Sequence, residues 1–223
     1  MPAPLFFQQL GLFVLPGFLD EDRCVELCRV VAAAPTEKAL VIEPRGEERL
    51  DPYSRKVDSS ILPKEITAPL KQRLLEIQPG LEQHFGIRLG GCESPEYLVY
   101  HPGDFFKPHR DGGASEVNED IRRRRVSVVI FLNRESSEPE EGTYGEGHLT
   151  FYGLLEGPQW EKCAFPLDAE PGLLIAFPSN KWHEVKPVSH GRRFTVVTWF
   201  RAPETPAVTN ETVESPTLSV VPL

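Results

Sequence analysis

The chain has 223 residues, 40% of them hydrophobic, which is enough to bury a sizeable core, and one domain is the default at this length. Its formal net charge of -9 argues against a general nucleic-acid binder, because phosphate contacts need clustered lysine and arginine. The one basic run, Arg122 to Arg125, is too short to reverse that and reads as a solvated turn before an apolar strand.

The opening MPAPLFFQQLGLFVLPGFLD lacks a basic flank and is interrupted by Gln8, Gln9 and Gly11, so it does not read as a signal peptide. No apolar stretch approaches the roughly 20 residues that a membrane helix needs. Four cysteines, at 24, 28, 92 and 163, complete no CxxC pair or zinc-type cluster and are expected to be reduced thiols. These features lead to the expectation of a cytoplasmic protein without nucleic-acid or membrane partners; the oligomeric state is not legible.

In chain order, Asp20 is a plausible N-cap, and Cys24, Leu27, Cys28 and Val31 recur at helical spacing until Pro35 stops the run. Lys38–Glu43 reads as a short strand. A second helical pattern uses Ile66, Leu70, Leu74 and Ile77, is broken at Pro79-Gly80, and resumes through Phe85. From residue 96 the texture changes to closely spaced strands: Glu96–His101, Val126–Leu132, His148–Tyr152, Leu173–Phe177, Trp182–Val188 and Arg193–Phe200. Gly- and Pro-containing turns between them suit a barrel or sandwich. Ala202–Leu223 holds four prolines, three glutamates and no basic residue, and reads as an extended or disordered tail.

The candidate chemistry lies on these strands. His109 and Asp111 are two apart, so in extended chain both side chains point the same way, and together they supply two thirds of a facial iron site. A lone HxD triplet is weak, and a lone strand histidine such as His183 is more often a core residue. In the last strand, alternation puts Arg193, Thr195, Val197 and Trp199 on one face and Phe194, Val196, Thr198 and Phe200 on the other. An arginine on a face with Val197 and Trp199 is costly unless it meets an anion, and guanidinium grips a carboxylate through two parallel hydrogen bonds. Arg192 would face the other way and reads as a turn residue. His84, His148 and His190 read as solvated, and His101 as part of a turn.

The joint pattern Tyr100-x8-His109-x-Asp111, then His183-x3-Pro187-Val188-x2-Gly191-x-Arg193, resembles the prolyl 4-hydroxylase-like 2-oxoglutarate/Fe(II) oxygenases. Gly147 to Phe151 and the approach from Phe177 to His183 share the likeness, which covers roughly residues 96–201. The resemblance implies a mainly β fold with supporting helices, built on a double-stranded β-helix (jelly-roll, cupin-like) core with iron in its mouth. It implies one oxygenase domain over residues 1–201, with 1–95 as helical support and first strands and 96–201 as the core, followed by the tail at 202–223.

The same resemblance implies that His109, Asp111 and His183 are the catalytic iron ligands. Arg193 then binds the distal carboxylate of 2-oxoglutarate, with Tyr100 and Thr195 as further co-substrate contacts. Collagen-type animal members carry Lys where this chain has Arg193, which places it with the arginine-using branch. Fe(II), 2-oxoglutarate and O2 are the implied cofactor and co-substrates, with ascorbate as reductant. The implied activity is hydroxylation of a peptide or protein residue. A hydroxylase of a free amino acid or small metabolite is the second reading, and a non-catalytic jelly-roll that binds metal or 2-oxoglutarate the third. Arg134–Gly147, with five glutamates and three glycines near its end, reads either as a solvated hairpin loop or as a mobile lid beside the iron that attracts a cationic substrate.

Overall fold

A computed structural model describes residues 4–42, 48–113, 119–168 and 170–204. Its helices are α1 (Pro4–Gln9), α2 (Glu21–Ala33), α3 (Lys64–Glu76), α4 (Gln78–Phe85) and α5 (Glu119–Arg123). The strands of the N-terminal part are β1 (Phe13–Leu15), β2 (Thr36–Lys38), β3 (Val41–Ile42), β4 (Glu48–Arg49), β5 (Arg55–Lys56) and β6 (Asp58–Ser60). The remainder are β7 (Glu96–Tyr100), β8 (Phe105–His109), β9 (Arg124–Phe131), β10 (Tyr144–Glu146), β11 (Leu149–Tyr152), β12 (Ala164–Leu167), β13 (Leu174–Pro178), β14 (His183–Val185), β15 (Val188–Gly191) and β16 (Arg193–Arg201).

Two antiparallel sheets face each other. The larger runs β1-β13-β9-β16-β7-β6-β2 and the smaller β12-β11-β14-β8-β5, with β10 and β15 pairing beside them. The strand pattern suits a barrel or sandwich, and this is the jelly-roll form of it that the resemblance implies. The large sheet is buried on both faces, so its central strands are almost continuously apolar. On one face Val126, Val128 and Ile130 of β9 and Phe194, Val196 and Phe200 of β16 pack under Leu27, Val31, Leu70, Leu74 and Leu81 of the helices. On the other, Val129 and Phe131 meet Phe151, Phe177 and Val185 between the sheets. The helices therefore buttress the sheet from outside and leave the space between the sheets for the site.

Local signals account for the helices. The Asp20 side chain accepts a 2.8 Å hydrogen bond from the Arg23 N–H, capping α2, and Pro35 follows its C-cap at Ala34. The break at Pro79 falls where α3 gives way to α4, with Pro79 in the first turn of the new helix. The single strand expected at Lys38–Glu43 is two short ones, β2 and β3, and Glu43 itself lies outside the described residues. Most of the expected tail, residues 205–223, also lies outside them. Among the described residues no helix is long and apolar enough to cross a membrane. All four cysteines are free, and burial pushes the Cys24 thiol up to about 11.

The arginine run is not a solvated turn. Arg122 and Arg123 end α5, and Arg124 opens β9 with a bidentate pair to Glu93 at 2.9 and 2.8 Å and its guanidinium 3.6 Å over the Trp199 ring. The partner is 31 residues away in sequence, which local composition does not reveal.

Candidate metal centre and co-substrate cleft

Antiparallel pairing of β14 with β8 sets His183 opposite His109 and Val185 opposite Phe106. Two steps on β14 match three on β8, so β8 carries a bulge there. Plain alternation would send Phe106 and His109 to opposite faces; the bulge lets both line the space between the sheets. Asp111 lies just past the strand, where its N–H and that of Gly112 both donate to the Ser179 carbonyl at 2.9 Å.

The result is a tight cluster. His109 Nε2 is 3.4 Å from one Asp111 oxygen and His183 Nε2 is 3.5 Å from the other, and one ligand atom from each residue falls within 4.8 Å of the other two. Each histidine directs Nδ1 at the carbonyl two residues back, His109 at Lys107 (2.8 Å) and His183 at Lys181 (3.0 Å). A proton on Nδ1 donates there, which leaves both Nε2 lone pairs turned inward, the tautomer that a metal ligand needs. Burial, reinforced by His109, pushes the His183 pKa down to about 4, so the ring is neutral. Burial opposes ionisation of Asp111, but His183, His109 and a hydrogen bond from Ser127 outweigh it and hold the carboxyl far below the usual range. The neutral His183 ring, the ionised Asp111 carboxylate and the inward-facing Nε2 of His109 fit a divalent iron.

The cluster opens on a narrow cleft lined by Tyr100, Leu149, Arg193, Thr195, Val197 and Trp199, among others. The expected phase of β16 is observed: Arg193 is 1% exposed and faces the cleft, while Arg192 is exposed with its guanidinium 5.3 Å from the Phe194 ring. Arg193 makes one long contact, Nη1 to Thr195 Oγ1 at 3.4 Å, and its Nε and Nη2 are buried without a hydrogen-bond partner. Its guanidinium lies 5.1 Å from the Tyr100 ring, 5.4 Å from Phe131 and 5.9 Å from Tyr144. A buried cation with unmet donors and an aromatic wall is stable only when an anion joins it. Tyr100 stands opposite Arg193 on β7 and is fully buried, which raises its phenol pKa and keeps the hydroxyl a donor. Tyr144 was not foreseen; it comes from a three-residue strand without hydrophobic alternation.

Other expectations need correction. His84 is half-buried, edge-on to Phe13 and Phe85, and His190 belongs to β15 with a buried Nε2. His148 is half-buried, with Nε2 3.0 Å from a Glu135 carboxylate oxygen. His101 does sit in a turn, where its N–H donates to Asp104.

Ser179, which anchors Asp111, donates from its N–H to the Arg125 carbonyl at the start of β9, and the loop Arg134–Gly147 leaves the other end of that strand. The loop is pinned near Arg193: Asn133 Nδ2 donates to the Gly142 and Arg192 carbonyls, and β10 pairs with β15.

A two-sheet jelly-roll with a His-Asp-His cluster and a buried anion-seeking arginine defines the class of 2-oxoglutarate/Fe(II) oxygenase-like proteins. Residues 95–201, just under half of the chain, match the family model described as 2OG-Fe(II) oxygenase superfamily, and the chain is similar to the prolyl hydroxylase-like 2-oxoglutarate/Fe(II) oxygenases. A PKHD-type hydroxylase of Shewanella sp. (strain ANA-3) is 31% identical over 108 residues, covering 48% of this chain and 42% of the relative. One from Synechococcus sp. (strain JA-3-3Ab) is 30% identical over 103 residues, covering 46% and 40%. The chain thus spans less than half the length of the curated relatives it matches. In fold it is similar to a Pseudomonas putida prolyl-4-hydroxylase (TM-score 0.59, 23% identity, 87% of this chain and 94% of that one). It is also similar to a Trichoplax adhaerens prolyl hydroxylase solved with a hypoxia inducible factor peptide fragment (TM-score 0.63, 17% identity, 87% and 85%). The match to that family model, together with the His109-Asp111-His183 cluster, implies Fe(II), 2-oxoglutarate and O2.

Proposed function

We propose that this protein is a 2-oxoglutarate- and O2-dependent Fe(II) hydroxylase of the prolyl hydroxylase type, acting on a residue of a peptide or protein. The observation that carries the reading is the pairing, in one cleft, of a His-Asp-His cluster with an arginine whose buried donors lack an acceptor. His109, Asp111 and His183 would hold the iron, Arg193 the distal carboxylate of 2-oxoglutarate, and Tyr100 and Thr195 would add hydroxyl contacts to that co-substrate. Iron so held, with O2, supplies the oxidation: 2-oxoglutarate becomes succinate and CO2, and the second oxygen atom becomes the hydroxyl on a substrate C–H.

The residues of the chain do the positioning. The backbone carbonyls of Lys107 and Lys181 fix the two imidazoles, Ser179 fixes Asp111, and Phe106 stacks on His109 with ring centroids 3.5 Å apart. Phe151, Phe177 and Val185 line the inner wall and help to keep bulk water out. The Trichoplax adhaerens prolyl hydroxylase, similar in fold and solved with a peptide fragment, supports a peptidyl substrate over a free amino acid or small metabolite. A single oxygenase domain over residues 1–201 and a cytoplasmic setting, consistent with four free thiols, belong to the same reading. The test is Fe(II)-dependent succinate formation from 2-oxoglutarate, with or without ascorbate, followed by a mass-spectrometric search for a +16 Da product among peptides and free amino acids. No iron-dependent succinate would refute it.

A further inference from the structure

A second arginine lines the same cleft and is used by nothing above. Arg55 stands on β5 at the edge of the smaller sheet, opposite Phe106 of β8. Its guanidinium lies 4.8 Å from the Phe106 ring, and that ring stacks directly on His109. One anchor is fixed: Nη1 donates to the Leu40 carbonyl at 2.9 Å. The nearest carboxylate, Glu96, is 4.0 Å from Nη2, at the outer limit of an ion pair. Burial raises the Glu96 carboxyl pKa above its ordinary range, so this counter-charge is itself weakened. Nε of Arg55 is buried with no hydrogen-bond partner, the same condition as Arg193.

The rim repeats the sign. Lys107 and Arg110 are exposed on either side of His109, and the Arg110 guanidinium lies 4.8 Å from the half-exposed ring of Trp182, next to His183. Among the described residues no carboxylate is ion-paired with Lys107 or Arg110, while the glutamate-rich loop sits at the opposite end of β9. Of the residues lining the cleft, Asp111 is the one carboxylate, and the metal uses it. A cleft with this balance favours an anionic guest and disfavours a cationic one.

We propose that Arg55 is the substrate-anion receptor of this cleft: it holds a carboxylate of the molecule being hydroxylated, one aromatic ring away from a metal ligand. The inference rests on the oxygenase reading and narrows it, reversing the cationic substrate that the acidic loop suggested. Two sources carry this group, an Asp or Glu side chain close to the modified residue of a peptide and the α-carboxylate of a free amino acid.

The experiment gives the full chain Fe(II), 2-oxoglutarate and matched pairs of compounds. One series sets proline peptides flanked by Asp or Glu against the same peptides with Asn or Gln; the other sets free L-amino acids against their primary amides. The readouts are succinate above the substrate-free background and +16 Da product. The carboxylate member of at least one series should be used with about tenfold or greater kcat/KM, in line with a charge-assisted contact. Which series responds identifies the source. Arg55→Gln should erase most of that preference by depressing only the carboxylate member, and Arg55→Lys should keep part of it. Equal use of both members, a preference that survives in Arg55→Gln, or background succinate with no product from either series would each overturn the assignment. If Arg55→Gln does not fold, the wild-type ratio and the Arg55→Lys ratio decide. Absence of iron-dependent succinate in the wild type strikes the oxygenase reading instead, a distinguishable result.

Discussion

His109 and His183 face one another across the β8–β14 pair with ring centroids 4.2 Å apart, each directing Nδ1 at a backbone carbonyl of its own strand segment. Neither ring can turn its Nε2 away without losing that bond, so the pair is set for a metal before one arrives. His109→Ala or His183→Ala should therefore abolish iron-dependent succinate formation and the thermal stabilisation by Mn(II), while the circular dichroism spectrum stays native. Retention of substantial activity in either variant would remove the triad assignment. Asp111→Ala is a softer change, because water or an added anion can occupy a carboxylate position.

The metal-free protein should lose stability as pH falls through a window set by His183. Its ring titrates near 6.5 when unfolded and is pushed down to about 4 by burial when folded. Between those values the unfolded chain binds the proton and the folded one does not, so acid favours unfolding; the loss approaches about 3 kcal/mol by pH 4. Urea melts of metal-free protein at pH 7, 5.5 and 4.5 measure it. His183→Asn should flatten the slope over this range, and an unchanged slope would place the titration elsewhere.

The sequence exposed the chemistry better than its surroundings. The HxD pair and the alternation of β16 that turns Arg193 inward and Arg192 outward are local or periodic features, while joining them to the distant His183 came from the family resemblance, and the structure has that arrangement. Relationships across the chain were not legible. The Arg124–Glu93 pair joins positions 31 apart, and Asn133 bonds to groups 9, 59 and 61 residues away, so composition offers no signal for either. The place of Arg134–Gly147 was not legible either: a run of glutamates says nothing about which end of β9 it leaves. β5 and β10 are too short for a period, which hid Arg55 and Tyr144 from the site.

Arg193→Ala should raise the 2-oxoglutarate requirement far more than Arg192→Ala. Losing a charge-assisted bidentate contact in a buried cleft costs roughly 2–4 kcal/mol, or about 30- to 1000-fold in apparent affinity. Arg192 points to solvent and should change it less than about threefold, as for an ordinary surface site. Titration of 2-oxoglutarate against succinate formation separates the two; greater damage from Arg192→Ala would reverse the phase assigned to β16.

Asn133 ties the loop to the arginine strand. Its Oδ1 accepts from the Phe194 N–H at 2.9 Å, and its Nδ2 donates to the Arg192 carbonyl at 2.8 Å and the Gly142 carbonyl at 2.9 Å. Asn133→Ala strands a buried donor beside Arg193 and should destabilise by about 2–3 kcal/mol. It should also weaken 2-oxoglutarate binding, while shortening Glu135–Glu141 should leave the salt dependence of hydroxylation unchanged. Denaturant melts and the 2-oxoglutarate titration check the first two, and rates from low to moderate salt check the third.

Gly112 offers a way to loosen the metal site without touching a ligand. It follows Asp111 directly and shares with it the Ser179 carbonyl as acceptor, each at 2.9 Å. A Cβ at this position would lie 2.9 Å from the Arg124 backbone oxygen and 3.0 Å from the Ser179 Cβ. The oxygen belongs to the first residue of β9, in the middle of the large sheet, and cannot retreat as a flexible side chain would. The loop must give instead, and Asp111 is the residue it carries. A shift of about 1 Å in a positioned group commonly costs on the order of 10²-fold in rate. Gly112→Ala should therefore weaken Mn(II) binding and lower kcat by one to two orders of magnitude, while the folded core remains, because the clash lies at the edge of the cleft. Gly113→Ala serves as a contrast: its Cβ would meet only the Asn180 side chain at 3.1 Å and backbone at 3.9 Å, and the strain comes from φ of 94°. It should cost stability more than metal affinity. Calorimetric Mn(II) titration and thermal melts of the two variants make the comparison, and equal metal affinity in Gly112→Ala and wild type would show that the Asp111 turn absorbs the methyl group.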